Sequence, residues 1–311
     1  MTAGTPPVRV NHAVRSRDYK YYIFDWDDNI LHMPTRIVME RKGADGVWRE
    51  VSLTTSAFAI VRADTAHYRP PKGGWNEAFR DFQDSPGRDS LVEDTVAALE
   101  RIERGELVPG PSFEALKKTL REGRLFAIVT ARGHAPETVK RAVRVFIRYA
   151  LTEAERDEMM ANLRGYRNWI DKVETFGTDA EELDYYLDLC HYSAVTWEGF
   201  AERMAKDPIY RERLASATNA SRPELAKEFA IRDFVEHVYH MLKRTGGFDR
   251  AVSIGFSDDD VGNVKTVTNF IRRELSKRFE GIKFVVYDTS DPSLNKGRKV
   301  CVSGQQNLPG F

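Results

Sequence analysis

Three short apolar runs of this 311-residue chain are each followed by side chains that can do chemistry: carboxylates, a hydroxyl and a guanidinium. The runs are 21–24 (YYIF), 125–129 (LFAIV) and 251–256 (AVSIGF). The polar groups that follow them are, in order, Asp25-Trp26-Asp27, Thr130-Ala131-Arg132 and Ser257-Asp258-Asp259-Asp260. Ligands of open α/β sheets bind beyond the carboxyl ends of the strands. If the runs are parallel strands, these groups meet at one edge of the sheet.

Carboxylates in this arrangement are suited to phosphoryl transfer. Asp25 can attack phosphorus and form an aspartyl-phosphate, which divides one difficult reaction into two easier steps. Asp27 can protonate the leaving oxygen and later deprotonate water. Because a carboxylate and a phosphate repel each other, the reaction needs a cation, and Mg²⁺ prefers oxygen ligands such as Asp25 with Asp258 or Asp259. The hydroxyl of Thr130 can hold the phosphate oxygens.

The same residues resemble motifs of the haloacid dehalogenase (HAD) superfamily. Asp25-Trp26-Asp27 is similar to the first motif, Thr130 to the second, and the acids 258–260 to the fourth. The resemblance implies a phosphatase that has Asp25 as nucleophile and Asp27 as general acid and base. The acid at position 27 argues against dehalogenation, because dehalogenases of the family lack it. Asp28-Asn29 departs from the Gly-Thr pair that the family usually has there.

The resemblance also implies a Mg²⁺ site. We assign the ion to Asp25, Asp27, Asp258 and Asp259. Asp260 is the alternative to one of the last two. Any of the three consecutive acids can instead cap the helix that is expected to start at Val261.

The third motif of the family is a lone Lys or Arg, which no pattern identifies. A helix that leads into a parallel strand begins at the carboxyl edge of the sheet, and Lys227 lies near the start of the helix predicted at 223–242. We therefore choose Lys227 over Lys243 and Arg244, which lie at the far end of this helix. Arg132, just past the second run, is a further candidate for binding the substrate phosphate.

The elements that position these residues alternate between strands and helices. A fourth apolar run, 282–287 (IKFVVY), follows the first three. Runs of this kind suit strands that are buried on both faces. Amphipathic helical patterns lie between them, at 113–121, 136–151, 223–242 and 261–279. This alternation predicts an α/β fold with a Rossmann-like, doubly wound parallel sheet, a HAD-like core with cap insertions.

The remaining segments define the domain organisation. Residues 36–54 predict a hairpin around the turn 43–46, and 152–221 is polar, mostly helical and rich in aromatic residues. The predicted units are an N-terminal extension (1–17), a catalytic core (18–34, 111–151 and 222–300), a flap hairpin with a cap insertion (35–110), a second insertion (152–221) and a C-terminal tail (301–311).

Composition excludes several classes of protein. Lys plus Arg equals Asp plus Glu at 47 each, so the net charge gives no reason to expect a nucleic-acid coat or a membrane surface. Cys190 and Cys301 are too few for a disulfide framework or a four-ligand zinc site. The N-terminus lacks the apolar core of a secretory signal, and no apolar run approaches the roughly 20 residues of a membrane span. We expect a cytoplasmic protein.

The sequence therefore predicts a Mg²⁺-dependent phosphatase that hydrolyses a phosphomonoester. The substrate class stays open among small molecules such as sugar phosphates, nucleotides, nucleic-acid ends and phosphoproteins. Two alternatives remain: a HAD-fold protein that binds a phosphorylated ligand without turnover, and a phosphotransferase that uses an acceptor other than water.

Overall fold

The structure, a computed structural model, describes residues 8–217, 222–291, 293, 294 and 297–301. Its strands are β1 (Tyr19–Phe24), β2 (Ile37–Lys42), β3 (Trp48–Leu53), β4 (Tyr68–Arg69), β5 (Phe126–Thr130), β6 (His191–Ala194), β7 (Val252–Asp258), β8 (Ile282–Asp288) and β9 (Arg298–Cys301). Its α-helices are α1 (Thr55–Val61), α2 (Gly74–Ala78), α3 (Ser90–Glu103), α4 (Phe113–Arg121), α5 (Pro136–Ala150), α6 (Glu153–Tyr166), α7 (Asp179–Asp188), α8 (Glu198–Lys206), α9 (Pro208–Ser216), α10 (Arg222–Thr245), α11 (Val261–Phe270) and α12 (Ser276–Arg278).

Several short turns complete the list of elements. A π-helical turn, Arg167–Asp171, follows α6, and a second one, Ile271–Leu275, joins α11 to α12. The 3-10 helices are His12–Ser16, Arg80–Phe82 and Gly247–Asp249. Within the described ranges, none of the helices has both the length and the apolar character that crossing a membrane requires.

A six-stranded, mostly parallel sheet forms the centre of the fold, in the order β6-β5-β1-β7-β8-β9. The first five strands are parallel and β9 is antiparallel to β8. The chain runs outward from β1 to β5 and β6, then returns to β7 on the other side of β1. The connections thus reverse direction between β1 and β7. Such a switch point is where open α/β sheets bind their ligands.

The four predicted strands are confirmed, and β5 and β7 extend past the predicted carboxyl ends into the polar residues of the site. Every residue of β5 is buried, as an apolar run between two helical layers requires. Thr130 is the last residue of β5, and Asp258 is the last residue of β7. The backbones of these two polar residues therefore belong to the sheet, whereas the sequence analysis expected them just after the strands.

Helices flank the sheet, as the alternating pattern predicted. Helix α4 packs on α5 and α6, whereas α10 packs on α8, α9 and α11. Right-handed crossovers that run in opposite directions from β1 place these two groups on opposite faces. The observed architecture is α/β and compatible with a Rossmann-like fold.

Parts of the predicted insertions belong to the main sheet and core. β6 lies within 152–221, yet it pairs in parallel with β5, from Ala127 opposite His191 to Thr130 opposite Ala194. Its sequence, HYSA, is too short and too polar to show as a buried strand. Helix α3 lies within 35–110, yet Leu91 is buried in the main core. Both elements were expected to lie in insertions outside the core, and the structure instead places both in it.

The predicted hairpin is confirmed. β2 pairs with β3 from Ile37 opposite Leu53 to Lys42 opposite Trp48, and β4 adds a third strand. A separate small apolar cluster, which includes Met39, lies under this sheet. Residues 1–7 of the predicted N-terminal extension and 302–311 of the tail lie outside the described residues, whereas the segment 8–17 packs on α6.

Candidate active site

Asp25 lies at the crevice between β1 and β7. It is the first residue after β1, and its backbone N–H donates to the carbonyl of Ser257 at 3.1 Å. The next residue of the neighbouring strand is Asp258, and only 7% of Asp25 and 1% of Asp258 are exposed. The register of β1 against β7 therefore fixes two buried carboxylates side by side at the switch point.

Asp259 completes a cluster of three carboxylates. One oxygen from each of Asp25, Asp258 and Asp259 lies within 4.8 Å of the other two. Burial raises the pKa of Asp25 well above its usual value, although Lys227 opposes this effect. Burial and the neighbouring Asp258 carboxylate raise the pKa of Asp259 to about 7. The cluster thus carries more negative charge than its surroundings stabilise.

Lys227 provides the ammonium of this cluster. Its Nζ lies 2.8 Å from Oδ2 of Asp258 and 3.3 Å from Oδ1 of Asp25. Lys227 is only 5% exposed. Burial alone lowers the pKa of this lysine, but the two carboxylates outweigh it and the net shift is upward. The ammonium therefore stays charged, and the start of α10 lies at the carboxyl edge as the sequence predicted.

The residues present fit a divalent cation. With all three carboxylates ionised and the lysine protonated, the net charge of −2 is one that a single Mg²⁺ neutralises, and all the available ligands are hard oxygens. Both oxygens of Asp258 already accept hydrogen bonds, Oδ1 from the backbone N–H of Asp260 and from Asn263 Nδ2, and Oδ2 from Lys227. Asp25, Asp258 and Asp259 are thus the residues that could hold the metal.

Asp27 lies apart from this cluster and pairs with Arg132. The guanidinium donates to both carboxylate oxygens, from Nε at 2.8 Å and from Nη2 at 2.7 Å. Thr130 Oγ1 is 3.5 Å from Oδ2 of Asp27 and accepts from the backbone N–H of Arg132 at 3.3 Å. The structure therefore brings the predicted acid/base next to two predicted phosphate-binding residues, Thr130 at the end of β5 and Arg132 just past it. It does not bring Asp27 into the three-carboxylate cluster to which the sequence analysis assigned it.

Arg132 is buried among further partners. Its Nη2 also donates to Thr35 Oγ1 at 2.8 Å, and its guanidinium lies over the ring of Phe82 at 4.6 Å. Thr35 in turn donates to Asp94. Nη1 of Arg132 is buried and has no hydrogen-bond partner among the described residues. An unused donor on a residue that is 1% exposed is a group with which a substrate oxygen can pair.

Asp260 caps a helix. Its Oδ1 accepts from the backbone N–H groups of Gly262 at 2.7 Å and Asn263 at 3.1 Å, at the start of α11. Arg62, the residue after α1, lies 3.5 Å from its other oxygen. These contacts favour the capping interpretation for Asp260 and leave Asp258 and Asp259 to the cluster.

Asn29 is a site residue to which the sequence analysis gave no role. It is fully buried, and its Nδ2 donates to the backbone oxygens of Asp25 at 3.1 Å and Ser257 at 3.2 Å and to Ser257 Oγ at 3.0 Å. Its Oδ1 accepts from Thr289, beyond β8, at 2.9 Å. The available signal was its position two residues after Asp27, where the sequence departs from the pattern that it otherwise resembles.

The first insertion contacts the rim of the site through Asp28. Asp28 has a left-handed backbone (φ 55°), and its carboxylate accepts from Thr55, the first residue of α1. His32 Nδ1 lies 2.8 Å from its other oxygen. An aspartate tolerates this backbone conformation better than most residues. Helix α1 is thereby held beside the carboxylate cluster.

Comparison with known proteins gives no match: no protein-family model, no curated protein and no solved structure matches this chain. Membership of the HAD superfamily therefore stays a prediction from the motifs.

Proposed function

We propose that this protein is a Mg²⁺-dependent phosphatase in which Asp25 is the nucleophile. The observation that carries the proposal is the position of Asp25. Its carboxylate lies beside a buried lysine and two further carboxylates, and Asp27, which pairs with Arg132, is near enough to contribute to the raised pKa of Asp25. A nucleophile that faces both a cation site and an acid/base group is what phosphoryl transfer through an aspartyl-phosphate requires.

The proposed chemistry has two steps. An oxygen of Asp25 attacks phosphorus, the bond from phosphorus to the leaving oxygen breaks, and Asp27 gives that oxygen a proton. Asp27 then takes a proton from water, the water oxygen attacks phosphorus, and the bond to Asp25 breaks. When bound by Asp25, Asp258 and Asp259, Mg²⁺ would neutralise the phosphate charge during both steps.

Lys227 and Thr130 have separate roles in this scheme. The ammonium of Lys227 orients Asp25 and offsets negative charge beside the phosphate. Thr130, at the end of β5, would donate a hydrogen bond from its hydroxyl to a phosphate oxygen. Arg132 occupies both oxygens of Asp27, so a bound phosphate has to draw hydrogen bonds of Arg132 away before Asp27 faces the leaving group.

The Asp27–Arg132 pair also supports a second candidate, a protein that binds a phosphorylated ligand without turnover. If Asp27 kept both of its hydrogen bonds from Arg132, it could not deliver a proton to the leaving group. Lys227, Thr130 and Arg132 would then only bind the phosphate group of the ligand. The assay that follows distinguishes the two candidates.

The proposal is tested by phosphate release from p-nitrophenyl phosphate, sugar phosphates, nucleotides, 5′-phosphorylated oligonucleotides and phosphopeptides. We expect turnover of at least one compound with Mg²⁺, loss of turnover in EDTA, and inhibition by beryllium fluoride, which mimics the phosphoryl group on Asp25. Full activity in excess EDTA would contradict the proposal. Binding of a phosphorylated compound with no release from any member would favour the second candidate.

A further inference from the structure

A cavity of about 640 Å³ lies at the opposite edge of the sheet from Asp25. Its walls come from the start of β1, the loop before β5, the π-helical turn after α6, helix α7 and the last turn of α10. The amino end of β1 and the carboxyl end of α10 both lie away from the carboxyl edge. This volume is within the range of small-molecule sites, roughly 300–1,000 Å³.

A buried tyrosine faces this cavity without a partner. Tyr21 lines the cavity and is only 6% exposed, and its hydroxyl makes no hydrogen bond within the ranges that the structure describes. Burial is the main cause of its raised pKa, so the hydroxyl keeps its proton and remains a donor. The hydroxyls of Tyr19 and Tyr166 are near enough to raise this pKa further. This hydroxyl is not among the fully buried polar groups, so it is open to the cavity and can donate to an acceptor on a ligand that enters it.

The cavity wall is also aromatic. Tyr19 and Trp169 stack with their ring centroids 6.4 Å apart and their planes 11° from parallel. Tyr185 is 38% exposed, and the Arg167 guanidinium lies 4.1 Å from its ring centroid. Trp169 lies in the π-helical turn, and such turns often occur at functional sites. These side chains offer ring surface for a planar ligand.

Two cations of the wall have no carboxylate partner. Lys20 and Arg244 line the cavity, and neither forms an ion pair with any described residue. Of the three acids of the wall, Asp171 and Glu182 both pair with Arg167, a cation of the same wall, and Asp18 is the third. Lys20 and Arg244 together therefore exceed the one remaining acid by a single positive charge. The free positive charge of the cavity therefore favours an anionic group on the ligand.

We propose that this cavity binds a small planar aromatic anion, with its ring beside Trp169 and its acceptor oxygens near Tyr21, Lys20 and Arg244. An aromatic carboxylate and a nucleoside monophosphate share this chemistry. The proposed binding is independent of phosphatase activity, because the cavity and the three-carboxylate cluster lie at opposite edges of the sheet.

The test is isothermal titration calorimetry on the full-length Asp25→Asn protein in EDTA, a background that suppresses binding and turnover at the carboxylate cluster. The probes are adenosine 5′-monophosphate and indole-3-acetate, with adenosine and inorganic phosphate as partial ligands. We expect at least one of the two anions to bind with a Kd below about 1 mM, and both partial ligands to bind at least about tenfold more weakly.

Variants locate the binding. Tyr21→Phe removes only the unpartnered hydroxyl, so it keeps the fold, and we expect it to weaken binding at least about fivefold. The double variant Lys20→Gln/Arg244→Gln should weaken it at least about tenfold. Tyr149→Phe, an exposed tyrosine on α5, is the matched control and should have no effect. Absence of saturable binding of both anions, or equal affinity in Tyr21→Phe, would overturn the proposal, and equal affinity for adenosine would overturn the anionic class.

Discussion

The amide of Asn29 donates to Oγ of Ser257 at 3.0 Å and so ties the segment after β1 to the end of β7. The same nitrogen reaches the backbone oxygen of Asp25. Ser112 adds a hydrogen bond to the Ser257 hydroxyl at 3.1 Å. These buried contacts hold Asp25, the proposed nucleophile, and the end of β7, where the proposed metal ligand Asp258 lies, at a fixed separation.

We predict that Asn29→Ala lowers the affinity for Mg²⁺ and reduces kcat by about tenfold or more, because the two strand ends can then separate. Loss of buried hydrogen bonds should also lower the free energy of unfolding by about 1–3 kcal/mol. The control is Asn168→Ala, which removes the hydrogen bond from Asn168 to the Val173 carbonyl. Calorimetric Mg²⁺ titration separates the two effects: a Mg²⁺ affinity equal to wild type in Asn29→Ala would restrict Asn29 to a purely structural role.

The second prediction concerns the assignment of Lys227, rather than Lys243, as the cation of the site. Lys227→Ala should lower kcat/KM by about 100-fold, or ~2.7 kcal/mol of transition-state stabilisation, because two buried carboxylates lose their ammonium. Lys243→Ala should change it by less than about threefold. Lys243 lies 16 residues further along α10 (243 − 227), or ~24 Å at 1.5 Å per residue, and its Nζ lies over the Tyr239 ring. The opposite ranking in steady-state kinetics would refute the assignment of Lys227.

Metal binding should depend on pH through Asp259. Its pKa is raised to about 7, above the usual value of 3.8, so the carboxyl is largely protonated below that pH and cannot act as a ligand. Mg²⁺ affinity should therefore rise between about pH 6 and about pH 8. For the metal-free protein the sign is opposite: the raised carboxyl pKa contributes stability that is present below about pH 4 and is lost as the pH rises to about 7. Mg²⁺ titration calorimetry tests the first dependence and thermal unfolding between about pH 4 and about pH 8 tests the second, and Asp259→Asn should flatten most of both.

Arg132 should affect catalysis through the N–H groups of its guanidinium, which donate to Asp27 and Thr35 at the same time. Arg132→Lys keeps the charge but cannot bind both oxygens of Asp27 and Thr35 together, so we expect kcat/KM to fall about 10- to 100-fold. Arg141→Lys, an exposed arginine paired with Asp89, is the control and should retain activity. Kinetics with p-nitrophenyl phosphate measures both variants, and an unchanged kcat/KM in Arg132→Lys would exclude the bidentate role.

The sequence predicted the parts of the fold that depend on local pattern. The apolar run before Thr130 predicted a buried strand. The order of the motifs along the chain predicted that Asp25 and Asp258 lie together at the carboxyl edge of the sheet. The strand β6 could not be predicted, because its pairing with β5 depends on tertiary contacts rather than on the hydrophobicity of HYSA. The side-chain partners of Arg132 could not be predicted from the sequence either, because Asp27 and Thr35 are 105 and 97 positions away in the chain.

The role of Asp25 is tested most directly by trapping its phosphoryl adduct. The wild-type enzyme is mixed with a turned-over substrate, quenched in acid and reduced with borohydride, which converts an aspartyl-phosphate into homoserine. Peptide mass spectrometry should find homoserine at position 25 in the wild type, and neither homoserine nor turnover in Asp25→Asn. Asp157→Asn, an exposed aspartate on α6, should behave as wild type. Homoserine at another aspartate, or turnover of more than a few per cent in Asp25→Asn, would contradict the assignment of Asp25 as the nucleophile.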